Sequence, residues 1–132
     1  MATPLDIVQS YNEALFAGLA TGSTDGINEY LTDATTCLES PVLPWGGLWV
    51  GPSGFAEMFS FSGDFEIASE IANSYWADGS TVFHRMSFEV TVGGAEEPTT
   101  VTSLELYQVE GDKIASIEVF FFNPGVFAAA AA

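Results

Sequence analysis

The chain has 132 residues, of which 48% are hydrophobic and 14% aromatic, and this length suits one domain with a substantial core. Eighteen acidic residues face two basic ones, giving a formal net charge of −16. Such a chain cannot neutralise phosphates, so the charge argues against nucleic-acid binding and against anionic membrane surfaces. With one cysteine and one histidine, the sequence permits no internal disulfide and predicts neither a metal site nor a cofactor.

The two ends of the sequence bear on location and on domain limits. The first residues lack the basic segment and apolar run of a secretory signal, and no stretch has the length of a membrane helix. We therefore expect a cytoplasmic protein. We also expect a single domain over residues 1–127 and a poly-alanine tail over 128–132. The tail is interpreted either as a frayed helical end or as a run of placeholder residues.

Capping signals predict three helices in the first half of the chain. Thr3 can cap a long first helix, and Pro4 suits its first position. A short second helix is predicted to begin near residue 25. The Gly-Pro pair at 51–52 opens a third helix, predicted over 53–61.

Alternating apolar residues and turn signals predict sheet for the rest of the chain. The predicted strands cover residues 35–40, 48–50, a long segment from 65 to the Asp78-Gly79 turn, 82–92, 99–109 and 114–122. Helices followed by a meander of long antiparallel strands are typical of an α+β domain, with the helices packed on one face of a curved sheet.

Four segments together resemble a known family. They are Ile7-Val8-Gln9-Ser10-Tyr11, Leu31-Thr32-Asp33-Ala34-Thr35, Leu43-Pro44-Trp45-Gly46-Gly47-Leu48-Trp49-Val50-Gly51-Pro52, and the closing hairpin from Tyr107 to Phe121. In order and spacing they resemble the SnoaL-like and ketosteroid-isomerase-like families of the nuclear transport factor 2 superfamily, over about residues 5 to 123. The resemblance implies a cone-shaped half-barrel of a curved, mostly antiparallel sheet, with the three helices on its concave face. It also implies an apolar pocket inside the cone and dimerisation through the convex face.

The resemblance carries over only in part to the isomerase site. In those isomerases a tyrosine on the first helix donates into an oxyanion hole, and Tyr11 falls at that position. The acid that shares this role would fall at about Leu104, where a donor is missing. The general-base aspartate stands before a proline, where this chain has Ser40 and Pro41. The resemblance therefore argues against steroid isomerisation.

Three residues are candidate proton carriers or donors. His84, the only histidine, lies on the apolar face of its strand, and an imidazole is a side chain suited to acid–base work, although a buried structural histidine would look the same. Glu39 ends the first strand, where an apolar pocket would raise its pKa, although a solvated strand end is the alternative. Tyr11 can donate to a developing oxyanion or can simply pack.

An apolar set of residues is predicted to line the pocket. Its members are Trp45, Trp49, Phe55, Phe59, Met86, Phe88, Leu104, Val119 and Phe121. Each could equally be core, but together they suit a small hydrophobic ligand. Phe120 and Phe122 are expected on the outer face, where burial against a second copy predicts a homodimer.

Two functions from different classes remain open. The first is a cofactor-free enzyme that uses general acid–base chemistry on a small hydrophobic substrate, by cyclisation, isomerisation, hydration or epoxide opening. The alternative is a non-catalytic ligand-binding or dimeric assembly module with the same fold. Convergence of two or more titratable groups in the interior would favour the enzyme.

Overall fold

A computed structural model describes residues 2–61 and 65–131, with the backbone alone at 65–71 and 128–131. The helices are α1 (Pro4–Thr21), a 3-10 helix (Asp25–Tyr30), α2 (Gly51–Phe59) and a C-terminal 3-10 segment (Pro124–Ala131). The strands are β1 (Leu31–Glu39), β2 (Gly47–Val50), β3 (Phe65–Asp78), β4 (Thr81–Val92), β5 (Thr99–Glu110) and β6 (Lys113–Phe121). The three helices predicted for the first half are therefore confirmed.

The start of α1 follows from its sequence. Thr3 Oγ1 accepts from the backbone N–H of Asp6 at 3.1 Å, and the Thr3 N–H donates to the Asp6 carboxylate at 3.1 Å. These two bonds form a capping box, and Pro4 occupies the first turn, where its missing N–H costs nothing. None of the helices within 2–61 and 65–131 is both long and apolar enough to cross a membrane.

The six strands form one open sheet in the order β2-β1-β6-β5-β4-β3. All neighbouring pairs are antiparallel except β1 and β6, which run parallel. Register shifts interrupt the β1–β6, β3–β4 and β5–β6 pairings, and such bulges bend a sheet. Helix α1 packs against β3, β4, β5 and β6 on the concave face. The α+β cone predicted from the sequence is confirmed.

Alternation along β5 decides which side chains enter the cone. Val101, Ser103 and Tyr107 are buried, whereas Leu104 is exposed and lies on the outer face. The expectation that Leu104 lines the interior is therefore wrong. Since successive side chains of a strand point to opposite faces, its neighbour Glu105 occupies the inner face instead.

The C-terminal segment closes one end of the cone. Phe127 is 1% exposed, and its ring centroid lies 5.0 Å from that of Trp45 and 5.4 Å from that of Phe121. It belongs to a core cluster that also includes Leu43, Phe88, Val90 and Val101. The chain beyond the last strand thus contributes to the core, although the Asn-Pro-Gly stop at 123–125 suggested only a strand end.

Candidate active site

A row of inward-facing residues crosses the concave face of the sheet. Glu105 pairs with Val119 on β6 and with His84 on β4, and His84 pairs with Tyr75 on β3. On β1, Leu38 pairs with Glu118, so the next residue, Glu39, lies beside Val119. The register of the sheet therefore sets two carboxyl groups and an imidazole in one row across the cone.

Glu105 is the hub of a hydrogen-bond network. Its Oε1 accepts from His84 Nδ1 at 2.7 Å and from the Tyr107 hydroxyl at 2.8 Å. The Tyr107 hydroxyl in turn accepts from Asn12 Nδ2 at 3.2 Å. Two hydrogen-bond partners on one oxygen hold the carboxyl group of Glu105 in one orientation. The Glu105 side chain is 18% exposed, whereas His84 beside it is fully buried.

His84 is held on every side. Its Nδ1 contacts Glu105, its Nε2 contacts Asn73 Oδ1, and its ring stacks on Tyr75 with centroids 4.2 Å apart. The predicted partner, Glu39, is not among its hydrogen-bond partners. Because both ring nitrogens are engaged, the imidazole orients Glu105 and has no ring nitrogen left for a ligand.

Glu39 is the second carboxyl group of the row and is 7% exposed. Burial, and then the charge of Glu105, raise its pKa to about 8, while the Trp45 indole and the Cys37 thiol partly oppose the rise. Cys37 Sγ donates to its Oε2 at 3.8 Å. Among the described residues its Oε1 is buried without a hydrogen-bond partner. At neutral pH Glu39 is therefore a neutral carboxylic acid with one face unengaged.

Tyr11 is buried near enough to both carboxyl groups to be influenced by their charges. It is 2% exposed, and its ring meets that of Tyr107 edge-on with centroids 6.1 Å apart. Burial and then the charges of Cys37, Glu105 and Glu39 raise the pKa of its hydroxyl well above the ordinary value. Tyr11 is thus a neutral donor close to both carboxyl groups. Burial likewise raises the pKa of Cys37, which argues against a thiolate nucleophile.

The residues predicted to line a pocket divide into three groups. Trp45, Trp49, Phe59, Met86 and Phe121 lie on the inner side and keep partial exposure. Phe55, Phe88 and Val119 are packed in the core, where Phe55 has no exposed surface. Leu104 lies outside, as described above. The first group surrounds the polar row with apolar surface, and Trp49 Nε1 fixes the Trp45 loop through a 3.0 Å hydrogen bond to the Trp45 carbonyl oxygen.

Sequence reasoning missed Glu105, Tyr107 and Asn12. The alternation of Val101, Ser103, Tyr107 and Val109 along β5 could have placed Glu105 on the inner face. Nothing in the sequence singles out Asn12 on α1, because its contact with Tyr107 joins residues 95 positions apart. Within the part of the chain that the structure describes, no three His, Cys, Asp or Glu side chains are grouped to hold a metal ion.

The raised pKa of Glu39 predicts a pH dependence of stability. Between pH 4.5 and about 8 the unfolded chain loses the Glu39 proton while the folded chain keeps it, so the free energy of unfolding falls as pH rises through this window. Glu39→Gln should remove this loss, which is on the order of a few kcal/mol. The free energy of unfolding by urea should therefore be measured at about pH 5 and about pH 8.5. Relative to the wild type, Glu39→Gln should be more stable at the higher pH than at the lower one.

The matched control is Glu57→Gln, an exposed acid on α2. It removes the same charge, so it corrects for the self-repulsion of a chain with net charge −16. If both variants gain the same stability relative to the wild type between the two pH values, the pKa of Glu39 is not raised in the folded protein.

The chain was compared with known proteins by sequence and by structure. The sequence matches no protein-family model and no curated protein. A nuclear transport factor 2-like protein from Burkholderia xenovorans LB400 superposes with a TM-score of 0.79 at 18% identity, covering 100% of this chain and 99% of that one. A similar protein from Anabaena variabilis is 27% identical, with a TM-score of 0.65 and coverage of 89% and 87%.

A third neighbour has a bound small molecule. It is a protein with a ketosteroid isomerase-like fold from Catenulispora acidiphila, in complex with trimethylamine, with a TM-score of 0.64, 15% identity and coverage of 98% and 94%. These likenesses establish the fold: the chain has the nuclear transport factor 2-like fold, as the sequence motifs indicated. Membership of the SnoaL-like family within it stays a prediction.

Proposed function

We propose that the protein is a cofactor-free enzyme that converts a small hydrophobic molecule by general acid–base chemistry, in a cyclisation, isomerisation, hydration or epoxide opening. The supporting observation is the pairing of two unlike carboxyl groups in one row, the partly exposed Glu105 carboxylate and the neutral Glu39 acid. A buried acid whose pKa is raised suits the role of proton donor, and a partly exposed carboxyl group that already accepts hydrogen bonds suits the role of base.

The proposed roles follow from the contacts. Glu105 takes a proton from a substrate carbon, and the Glu39 acid and the Tyr11 hydroxyl donate hydrogen bonds to the substrate oxygen that gains charge. His84, Tyr107 and Asn12 position Glu105. Both ring nitrogens of His84 are hydrogen-bonded, Nδ1 to Glu105 and Nε2 to Asn73, so its role here is positioning. Among the open reactions this arrangement suits proton removal beside a carbonyl best.

The test uses cyclohexanone, a small apolar ketone. In deuterium oxide at neutral pD, the protein should accelerate exchange of the hydrogens next to the carbonyl, followed by NMR. Glu105 removes the proton, the enol forms against Glu39 and Tyr11, and return of a deuteron completes the exchange. No acceleration over a matched carboxylate buffer would contradict the proposal.

The second candidate, a dimeric assembly or ligand-binding module, is favoured by the outer face. Trp76, Leu104, Phe120 and Phe122 are exposed there and line a groove of about 390 Å³ together with Arg85. Contiguous exposed apolar surface of this kind marks an interaction site. We propose that a second copy of the chain covers it in a homodimer. Both functions are compatible with the cytoplasmic location expected from the sequence.

The dimer is tested by charge insertion. Phe120→Asp should convert a dimer into a monomer in sedimentation velocity, because an unpaired carboxylate buried in an interface costs several kcal/mol. Leu19→Asp, at an exposed site on α1, should leave the dimer intact. A wild type that sediments as a monomer at all accessible concentrations would refute the dimer.

A further inference from the structure

The interior contains a second buried polar atom outside the acid–base row. Ser103 is 2% exposed, and its Oγ has no hydrogen-bond partner among the described residues. It lies on the inner face of β5, two residues from Glu105, and pairs with Met86 on β4 and Phe121 on β6. Its hydroxyl therefore faces the interior between two partly exposed apolar side chains.

An unpartnered buried hydroxyl is unfavourable in the empty protein. Burying a hydroxyl without a hydrogen bond destabilises the folded state, and an alanine of similar size avoids that loss. The neighbouring inward positions on β5, Val101 and Tyr107, are either apolar or hydrogen-bonded. Ser103 thus differs from them in having a polar atom that no described residue uses, which points to a ligand.

The position of Ser103 relative to Glu39 sets the shape of that ligand. β5 and β1 are separated by one strand, β6, and the two residues are offset by two positions along it. Strand spacing and rise place their Cα atoms about 12 Å apart along the sheet. The glutamate side chain and the concave curvature shorten the distance between the two polar groups. A ligand that reaches both groups must therefore carry oxygens at opposite ends, about one ring apart.

We propose that the substrate carries a second oxygen function, which Ser103 binds, across a ring from the oxygen that meets Glu39 and Tyr11. This inference rests on the proposed function and narrows its substrate class to cyclic molecules oxygenated at two opposite positions. Ser103 is a specificity-determining residue: a hydroxyl on the substrate pairs with it, and an apolar group of the same size leaves it unpaired. Sites of this kind reject the analogue that lacks the polar group.

The test uses two ketones of nearly equal size, 4-hydroxycyclohexanone and 4-methylcyclohexanone, with dissociation constants measured by NMR titration. The wild type should bind the hydroxy ketone at least ~10-fold tighter, a difference of one satisfied hydrogen bond. Ser103→Ala should abolish or invert this preference. Ser87→Ala is the matched control, because Ser87 lies on the outer face of β4 and hydrogen-bonds Thr102 Oγ1 at 2.9 Å.

Stability gives an independent measurement. Ser103→Ala should leave the urea midpoint of the ligand-free protein unchanged or higher, whereas Ser87→Ala should lower it by removing a satisfied bond. A lower midpoint for Ser103→Ala would show that the hydroxyl is already paired, and the inference would fail.

The failures of this inference and of the proposed function are distinguishable. If the protein catalyses exchange of both ketones but binds them equally, the acid–base function stands and the role of Ser103 is refuted. If the preference is present and depends on Ser103 but exchange is absent, the ligand class stands and the enzyme does not. If neither ketone binds up to its solubility limit, the inference is overturned.

Discussion

Glu105→Gln should lower the rate of deuterium exchange of cyclohexanone by at least ~100-fold. The amide keeps the size of the side chain and still accepts the hydrogen bonds of His84 and Tyr107 through its oxygen. It cannot take a proton from carbon, so the loss should fall on kcat with little change in KM. NMR exchange rates over a range of ketone concentrations separate the two parameters.

The control for this prediction is Glu110→Gln. Glu110 ends the same strand and is exposed beside the β5–β6 turn, so its substitution removes one charge without touching the interior. Its exchange rate should stay within about twofold of the wild type. Equal rates for Glu105→Gln and the wild type would remove Glu105 from the chemistry.

Phe127→Ala should destabilise the protein by about 3–5 kcal/mol, the cost of truncating a fully buried phenylalanine. The ring packs against both Trp45 and Phe121, and its removal leaves a cavity beside these two aromatic side chains. The free energy of unfolding by urea, with circular dichroism as the signal, measures the loss.

Phe16→Ala supplies the comparison, because this phenylalanine is on the exposed side of α1. Its removal should change the free energy of unfolding by less than about 1 kcal/mol. If the two variants lose similar amounts, the C-terminal segment is not docked on the sheet in solution.

The fold was predictable because local signals agreed with one another. Thr3 and Pro4 signal the start of α1, and the Asp78–Gly79 turn and the strict alternation of β4 fix a hairpin. Each of these is local in sequence and needs no knowledge of distant partners. The parallel pairing of β1 with β6 was not predicted, because it joins residues about 80 positions apart that no local signal connects.

The site was predictable only in part. Glu39 and Tyr11 were chosen from their positions in the sequence, and in the structure the charge of Glu39 contributes to the raised pKa of the Tyr11 hydroxyl. The prediction for β5 was wrong by one residue. It assigned the inner-face position of the family's acid to Leu104, whereas Glu105 occupies the inner face, and a shift of one residue exchanges the two faces of a strand. Both faces of β5 have apolar and polar residues, so hydrophobic alternation alone did not decide the register.

Phe127 was missed for another physical reason. The Asn-Pro-Gly sequence at 123–125 ends a strand, and the alanines that follow have no pattern that signals packing. A single aromatic residue after such a stop gives no periodicity to interpret. Its burial depends on Trp45 and Phe121, which only the folded chain brings to it.

The parallel pairing of β1 with β6 affects the order in which the sheet forms. β1 is complete at Glu39, yet its partner β6 begins at Lys113, so more than half the chain must be synthesised before they can pair. Contacts of such long sequence separation form slowly and late. Until then the edge of β1 that later pairs with β6 has no partner strand. The nascent protein therefore exposes a strand edge that is prone to aggregation. Glu39 and Glu105 therefore meet only at the last stage of folding, and partly synthesised chains cannot hold the acid and the base together.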